Sequence, residues 1–130
     1  MSVSLPLLTR LFQLISERKF AEAERIMERL TGRMKKSGMN NFDKGYLQAL
    51  NGIILTYRSG TETYEFFSTL NIKDVEAIKK HYKDFVRNSQ SRFHADYDRG
   101  FFTALADYMR VVMKTAQADA KYQPVQASQG

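Results

Sequence analysis

The nine residues FDKGYLQAL, at positions 42–50, return in closely similar form as YDRGFFTAL at positions 97–105. The aspartate, glycine, alanine and leucine are identical, and an aromatic residue opens both copies. Each copy continues into apolar residues at the spacing of a helix face. Because the copies lie 55 positions apart in a chain of 130 residues, they predict two related helical units.

The glycine is the unusual member of each copy. Inside a helix, Gly45 and Gly100 should each cost about 1 kcal/mol of stability relative to alanine. Close approach of another backbone is the simplest compensation, because a residue without a side chain lets two helices come nearer than usual. We therefore expect the two repeated helices to cross near these glycines, about a pseudo-twofold axis.

The aspartate of each copy has two interpretations. Asp43 and Asp98 fall in a first helical turn, where a carboxylate stabilises the positive end of the helix dipole. We expect this structural role, with both charges in water. The alternative is a pair of anion or metal sites at DKG and DRG, and the dipole interpretation is the simpler one.

Laying residues 5–59 over residues 60–114 extends the repeat to two three-helix units. Phe12 then falls on Phe67, and Leu30 on Phe85. Five positions are identical across the overlay, so the longer alignment depends mainly on caps and apolar periodicity. The predicted fold class is all-α: a six-helix bundle built from two similar units, with residues 1–114 as a single domain.

Capping residues and apolar spacing predict where the six helices begin and end. In order, the helices run from the cap Ser4 to about Ile15, from the cap Ser16 to near Gly38, from the cap Asn41 to Gly60, roughly from Thr61 to Thr69, from the cap Asn71 into RNSQS at 87–91, and from the cap Asp96 to about Thr115. Residues 115–130 have little to bury, so we expect a flexible, disordered tail there.

The composition is that of a soluble protein, with 43% hydrophobic and 26% charged residues. The absence of cysteine excludes disulfides, zinc–thiolate sites and thiol catalysis. The apolar amino-terminal stretch is interrupted by Arg10, so we interpret it as a structural helix rather than a signal segment. No apolar run is long enough to cross a bilayer. We expect a cytoplasmic protein without a membrane partner.

The net charge of +6 favours a polyanionic partner without specifying one. The basic residues form two clusters. One lies along the fifth predicted helix and the loop after it, at Lys79, Lys83, Arg87 and Arg92. The other ends the second predicted helix, at Arg33, Lys35 and Lys36.

These clusters have two interpretations, and both stay open. They are suited to face phosphates, with Tyr82, Phe93 or Tyr97 as a nearby stacking surface. They are also typical of a solvated helix face stabilised by the dipole and by neighbouring acids. We predict a non-enzymatic accessory factor or small subunit that contacts nucleic acid or a nucleoprotein complex. The alternative is a protein–protein adaptor or homo-oligomeric scaffold, such as a homodimer, with no nucleic-acid role.

Catalytic and cofactor signatures are missing from the sequence. It contains no phosphate loop, nucleophile elbow or dinucleotide fingerprint. The segment HADYD alternates ligand-type residues from His94 to Asp98, but its aspartates fit a cap and a first-turn position better than a metal site. We expect no enzymatic activity, cofactor or metal.

One segment has a family resemblance. ERKFAEAERIMERL, at positions 17–30, resembles the second helix of tetratricopeptide-type hairpins in its aromatic residue, its alanine three positions later and its apolar stripe. The resemblance implies a helical hairpin there and carries no functional residues. The 55-residue period differs from the 34-residue period of that family.

Overall fold

The computed structural model describes residues 3–59 and 75–121, and every regular element in these ranges is an α-helix. The five helices of the described ranges are α1 (Leu5–Ser16), α2 (Phe20–Lys36), α3 (Asn41–Ser59), α4 (Val75–Ser89) and α5 (Asp96–Lys121). The all-α prediction is confirmed. The predicted helix from Thr61 to Thr69 and the cap Asn71 lie outside the described residues, so α4 and α5 are the fifth and sixth helices of the prediction.

Both ends of α1 are capped. At its start, the Ser4 hydroxyl oxygen accepts a hydrogen bond from the Leu7 amide at 3.4 Å, as predicted. At its end, Arg18 adopts a left-handed φ of 62°. The Lys19 amide then donates to the Leu14 carbonyl at 2.8 Å. This pattern is a Schellman-type helix end, which turns the chain back towards α2.

The prediction that Ser16 caps the second helix is wrong. Ser16 is the last residue of α1, and its hydroxyl donates to the Gln13 carbonyl at 2.8 Å. α2 begins only at Phe20, after Lys19, which provides no side-chain cap. The turn is made by Arg18, and a non-glycine residue in the left-handed conformation is too uncommon for the sequence to reveal it.

The loop from α2 to α3 contains two caps. Gly38 ends α2 with a φ of 85°, as predicted. α3 is capped by Asn40, one residue before the predicted Asn41: the Asp43 amide donates to Asn40 Oδ1 at 2.8 Å, and the Asn40 amide donates to Asp43 Oδ2 at 3.4 Å. Asp43 is 2% exposed, so the expectation that its charge lies in water is wrong.

α5 starts in the same register as α3 but without a side-chain cap. The Ala95 carbonyl accepts the first helical hydrogen bond, from the Arg99 amide at 3.0 Å, so Ala95 occupies the cap position predicted for Asp96. Asp98 is exposed, as expected. The helix continues to Lys121, so its predicted end at about Thr115 is wrong. The sequence AQADAK at 116–121 is rich in alanine, the best helix former.

α3 and α5 form the central pair of the fold and contact each other at the repeated glycines. A Cβ atom on Gly45 would lie 1.8 Å from the Tyr97 carbonyl oxygen, and one on Gly100 would lie 2.0 Å from the Phe42 carbonyl oxygen. Since a Cβ lies about 1.5 Å from its Cα, each oxygen is within about 3.5 Å of a glycine Cα, in the range of a Cα–H···O contact. The helices cross at the two glycines, as the sequence predicts.

These contacts are reciprocal, because the glycine of each copy receives the carbonyl of the aromatic residue that opens the other copy. Nearer the other end of the pair, the hydroxyls of Tyr57 and Tyr108 share a hydrogen bond. Residue numbers therefore rise in the same direction along both helices, so α3 and α5 are parallel.

The other helices pack around this pair. α1 and α2 pack on each other, α1 and α2 also contact α3, and α4 packs on α5. The largest fully buried side chains come from all five helices and include Leu8, Leu11, Met34, Tyr46, Leu50, Ile53, Ile78 and Met109. α3 and α5 begin at positions 41 and 96, which is the 55-residue spacing of the repeat. None of the helices in the described ranges combines the length and apolarity needed to cross a bilayer.

Candidate nucleic-acid interface

The direction of the central pair decides where the loops lie. α2 leads into α3 through the 37–40 loop, and α4 leads into α5 through the 90–95 loop. Because α3 and α5 begin side by side at the glycine crossing, both loops lie at the same end of the molecule. We call residues 33–44 and 87–99 together the hairpin end.

Basic residues from both halves of the chain lie at the hairpin end. The predicted cluster residues among them are exposed: Arg33, Lys35 and Lys36 on the last turn of α2, and Arg87 and Arg92 at the end of α4 and in the loop after it. The sequence predicts each cluster separately. The parallel central pair adds that the α2 cluster and the last residues of the α4 cluster, Arg87 and Arg92, belong to one end of the molecule.

Lys79 and Lys83 extend this surface along α4. Both are exposed, and at 1.5 Å per residue they lie about 12 Å and 6 Å from Arg87 along the helix axis. Lys79 is therefore closer to the start of α4 than to the hairpin end. The predicted α4 cluster is a line of charges running away from the loops rather than a compact patch.

Acidic residues reduce the positive charge of this surface. Three exposed ion pairs join residues three positions apart, Lys79 to Glu76 at 3.9 Å, Arg87 to Asp84 at 3.6 Å and Arg99 to Asp96 at 3.8 Å. Such pairs are weak and screened by salt, so a polyanion can displace them at little cost. Lys83, Arg92 and the three α2 bases form no ion pair with another described residue.

Lys44 is a further base at the hairpin end that the sequence interpretation missed. It is exposed in the first turn of α3, immediately before Gly45. Its equivalent in the second copy, Arg99, is half-buried and donates to the Ser89 carbonyl at 3.2 Å, which fastens α5 to the end of α4. The signal was present, because both copies of the repeat have a base before the glycine.

Three aromatic residues were candidates for a stacking surface, and their exposures separate them. Phe93, in the 90–95 loop, is 99% exposed. Tyr97, in the first turn of α5, is 39% exposed. Tyr82 is half-buried and packs against the core from α4. Phe93 is therefore the aromatic side chain with a face available to a ligand, with Tyr97 as a partial second surface.

Two partly buried polar pairs link α3 to α5 away from the hairpin end. The Tyr46 hydroxyl donates to Asp107 Oδ2 at 2.7 Å, and the hydroxyls of Tyr57 and Tyr108 bond to each other. Burial raises the pKa of both Tyr46 and Tyr108, so their hydroxyls stay protonated at neutral pH. Burial also raises the pKa of Asp107. These groups are suited to joining the helices rather than to acting as bases.

An apolar pocket of about 450 Å³ lies at the opposite end of the molecule from the loops. Its walls include Phe12 and Ile15 of α1 and Val112 of α5, with the hydroxyl pair of Tyr57 and Tyr108 at one side.

No group of three or more histidine, aspartate or glutamate residues in the described part of the chain is arranged to hold a metal ion.

Comparisons with known proteins give no relative for this arrangement. No protein-family model, curated protein or solved structure matches the chain.

Proposed function

We propose that the chain is a non-enzymatic, cytoplasmic interaction module that binds nucleic acid, alone or within a nucleoprotein complex, through the hairpin end. The observation that carries this proposal is that the α2 cluster and the Arg87 and Arg92 end of the α4 cluster lie at one end of a parallel central pair. If the two clusters lay on unrelated faces of the molecule, each would be explained as an ordinary solvated helix face. Bases from separate halves at one end form a field that a phosphate backbone can follow.

The basic residues act as phosphate-facing charges rather than base readers. They lie at helix ends, along one side of α4 and in a loop, so they track a backbone rather than enter a groove as a recognition helix. Lys83, Arg92 and the three α2 bases contribute most per residue, because they leave no ion pair with another described residue when they bind. Lys79 is the most distant contact and reaches a backbone only if the strand follows α4.

Binding to mixed-sequence RNA and DNA at two salt concentrations tests this function. We expect the binding constant to fall steeply as salt concentration rises. In a plot of the logarithm of the binding constant against the logarithm of salt concentration, each phosphate contacted should add about 0.7 to 0.9 to the steepness of the slope. Reversing Lys79, Lys83 and Arg87 to glutamate should weaken binding and flatten the slope. Negligible binding of the parent protein at low salt would reject a nucleic-acid role.

The alternative function is a protein–protein adaptor or a homo-oligomeric scaffold. The apolar pocket of about 450 Å³ and the exposed side chains of Leu55 and Tyr57 favour it, because they give the end opposite the loops an apolar character. A self-associating chain would change its mass with concentration. Sedimentation between low and high micromolar concentrations therefore tests this alternative without a partner in hand.

We also infer that the chain arose by tandem copying of a three-helix unit, 5–59 onto 60–114. Support comes from the 55-residue spacing between the starts of α3 and α5 and from the reciprocal glycine contacts. An experimental structure in which α2 and α3 fail to superimpose on α4 and α5 about the glycine crossing would reject the duplication.

A further inference from the structure

The 90–95 loop holds a fully exposed aromatic side chain on a well-fixed backbone. The Phe93 amide donates to Ser91 Oγ at 3.2 Å, and the His94 amide donates to the Ser91 carbonyl at 3.4 Å. The Ser91 amide in turn donates to the Asn88 carbonyl at 3.3 Å. These bonds fix the loop backbone, and the Phe93 ring nevertheless remains 99% exposed.

Side chains on either side of Phe93 anchor the loop to the helices. His94 Nε2 lies 3.1 Å from Asn88 Oδ1, and the His94 ring packs 5.3 Å from the Phe102 ring. The Arg99 guanidinium joins the start of α5 to the end of α4. Phe93 is thus held at a defined position, so stacking a ligand on it costs little entropy for ordering the loop.

The charges beside Phe93 define the chemistry of the ligand. Arg92 precedes it in the chain, Arg87 lies on the last turn of α4, and the α2 bases belong to the same end of the molecule. An aromatic face flanked by cations suits a ligand that combines negative charge with flat apolar surfaces. Single-stranded nucleic acid has both, and base–aromatic stacking is the usual way such strands are held.

We propose that the hairpin end binds single-stranded nucleic acid, with an unpaired base stacked on Phe93 and the neighbouring phosphates on Arg92 and the adjoining basic side chains. This inference rests on the proposed nucleic-acid function and specifies its ligand. A duplex keeps its base faces inside the stack, and inserting Phe93 between them would cost a few kcal/mol of unstacking per step. Single strands are therefore preferred over duplexes of the same sequence.

The test uses the full chain and a fluorophore placed at the stacking position. The protein contains no tryptophan, so Phe93→Trp introduces a single reporter. Phe20→Trp, at the start of α2 and away from the hairpin end, is the matched control. Each variant is titrated with a mixed-sequence single-stranded oligonucleotide, with its duplex, and with heparin, which supplies anionic charge without bases.

We expect the single strand to quench the tryptophan fluorescence of the Phe93→Trp variant, heparin to bind without quenching, and Phe20→Trp to stay unchanged. In anisotropy assays, Phe93→Ala should lower single-strand affinity about 5- to 150-fold, while Phe93→Tyr should retain it. The salt slope and the melting temperature of Phe93→Ala should match those of the parent, because the ring is exposed and uncharged.

Two results would overturn the inference in distinguishable ways. Equal affinity for single strand and duplex, unaffected by Phe93→Ala, would leave the nucleic-acid function standing and remove the stacking role. Failure of the parent to bind either nucleic acid at low salt would remove both. A protein partner whose binding depends on Phe93, with no binding to oligonucleotides, belongs to the second case.

Discussion

At the scale of single residues, the stability of the fold depends on the lack of a side chain at two glycines of the central pair. A methyl group on Gly45 or Gly100 would collide with the backbone of the other helix rather than with a movable side chain. We expect Gly45→Ala and Gly100→Ala each to lower the free energy of unfolding by about 1–3 kcal/mol, although alanine is the better helix former. Urea denaturation measures this difference.

Gly32 is the matched control for this prediction. It lies inside α2, and a Cβ there would have nothing within 4 Å. Gly32→Ala should therefore raise the free energy of unfolding by about 0.5–1 kcal/mol through helix propensity alone. If the central-pair variants were stabilised as Gly32→Ala is, the glycines would not be required by close packing.

The Tyr46–Asp107 pair gives a pH-dependent prediction at the same scale. Because burial raises the pKa of Asp107, the folded chain holds this proton more tightly than the unfolded chain. The stabilisation is fully present below the unfolded pKa, near about 3.9, and is lost as pH rises through the folded pKa. Asp107→Asn keeps an acceptor for Tyr46 and should remove this contribution.

Unfolding measured between about pH 3 and pH 7 tests the pair. We expect the Asp107→Asn variant to be at least as stable as the parent at neutral pH. At the acidic end, its free energy of unfolding relative to that of the parent should be lower than at neutral pH. Asp107→Ala serves as the control, because it leaves the Tyr46 hydroxyl without its partner and should cost about 1–3 kcal/mol already at neutral pH. Since alanine also lacks the titrating carboxyl, its cost should be larger at the acidic end. Arg110 Nη1 lies 3.8 Å from Asp107 Oδ1. A large loss of stability for Asp107→Asn at neutral pH would therefore mean that the charge of Asp107 is favourable through this ion pair.

At the scale of elements, the unequal caps of the two central helices can be exchanged. Asn40 and Asp43 form a reciprocal cap at α3, whereas α5 has Ala95 at the cap position with Asp98 already three residues later. Ala95→Asn copies the α3 cap into α5. We expect it to raise the free energy of unfolding by about 0.5–1.5 kcal/mol, and Asn40→Ala to lower it by a similar amount. An unchanged melting curve for Ala95→Asn would mean that α5 does not need this cap.

The elements also show how far the sequence predicts this fold. The glycine crossing was predictable because a glycine inside a helix is costly and therefore informative. The caps at Asn40 and Ala95 were missed by one residue, since neighbouring asparagines and aspartates offer equivalent candidates and only the helical hydrogen bonds distinguish them. The turn at Arg18 gave no signal, because no glycine marks its left-handed conformation.

At the scale of the whole molecule, the sequence predicted both basic clusters but not that Arg87 and Arg92 lie at the same end as the α2 bases. This shared end depends on α3 and α5 running in the same direction. The apolar periodicity of a helix does not predict whether the helix packed against it is parallel or antiparallel. The exposure of Phe93 was also not predictable from the sequence. An aromatic residue beside a helix is usually buried, and here the loop bonds around Ser91 and His94 leave it outside.

The central claim is that both halves of the chain contribute to one binding surface, and the salt dependence of single-strand binding tests it most directly. The α2 variant reverses Arg33, Lys35 and Lys36 to glutamate. The α4 variant reverses Lys83, Arg87 and Arg92. A control variant reverses three exposed bases nearer the opposite end, Lys19, Arg25 and Lys114.

We expect the α2 and α4 variants each to weaken binding and to reduce the log–log salt slope by about 2, since each reversal removes up to three contacts worth about 0.7 apiece. The control variant should keep the parental slope within experimental error. Equal slopes for the control and for either cluster variant would contradict a shared surface at the hairpin end.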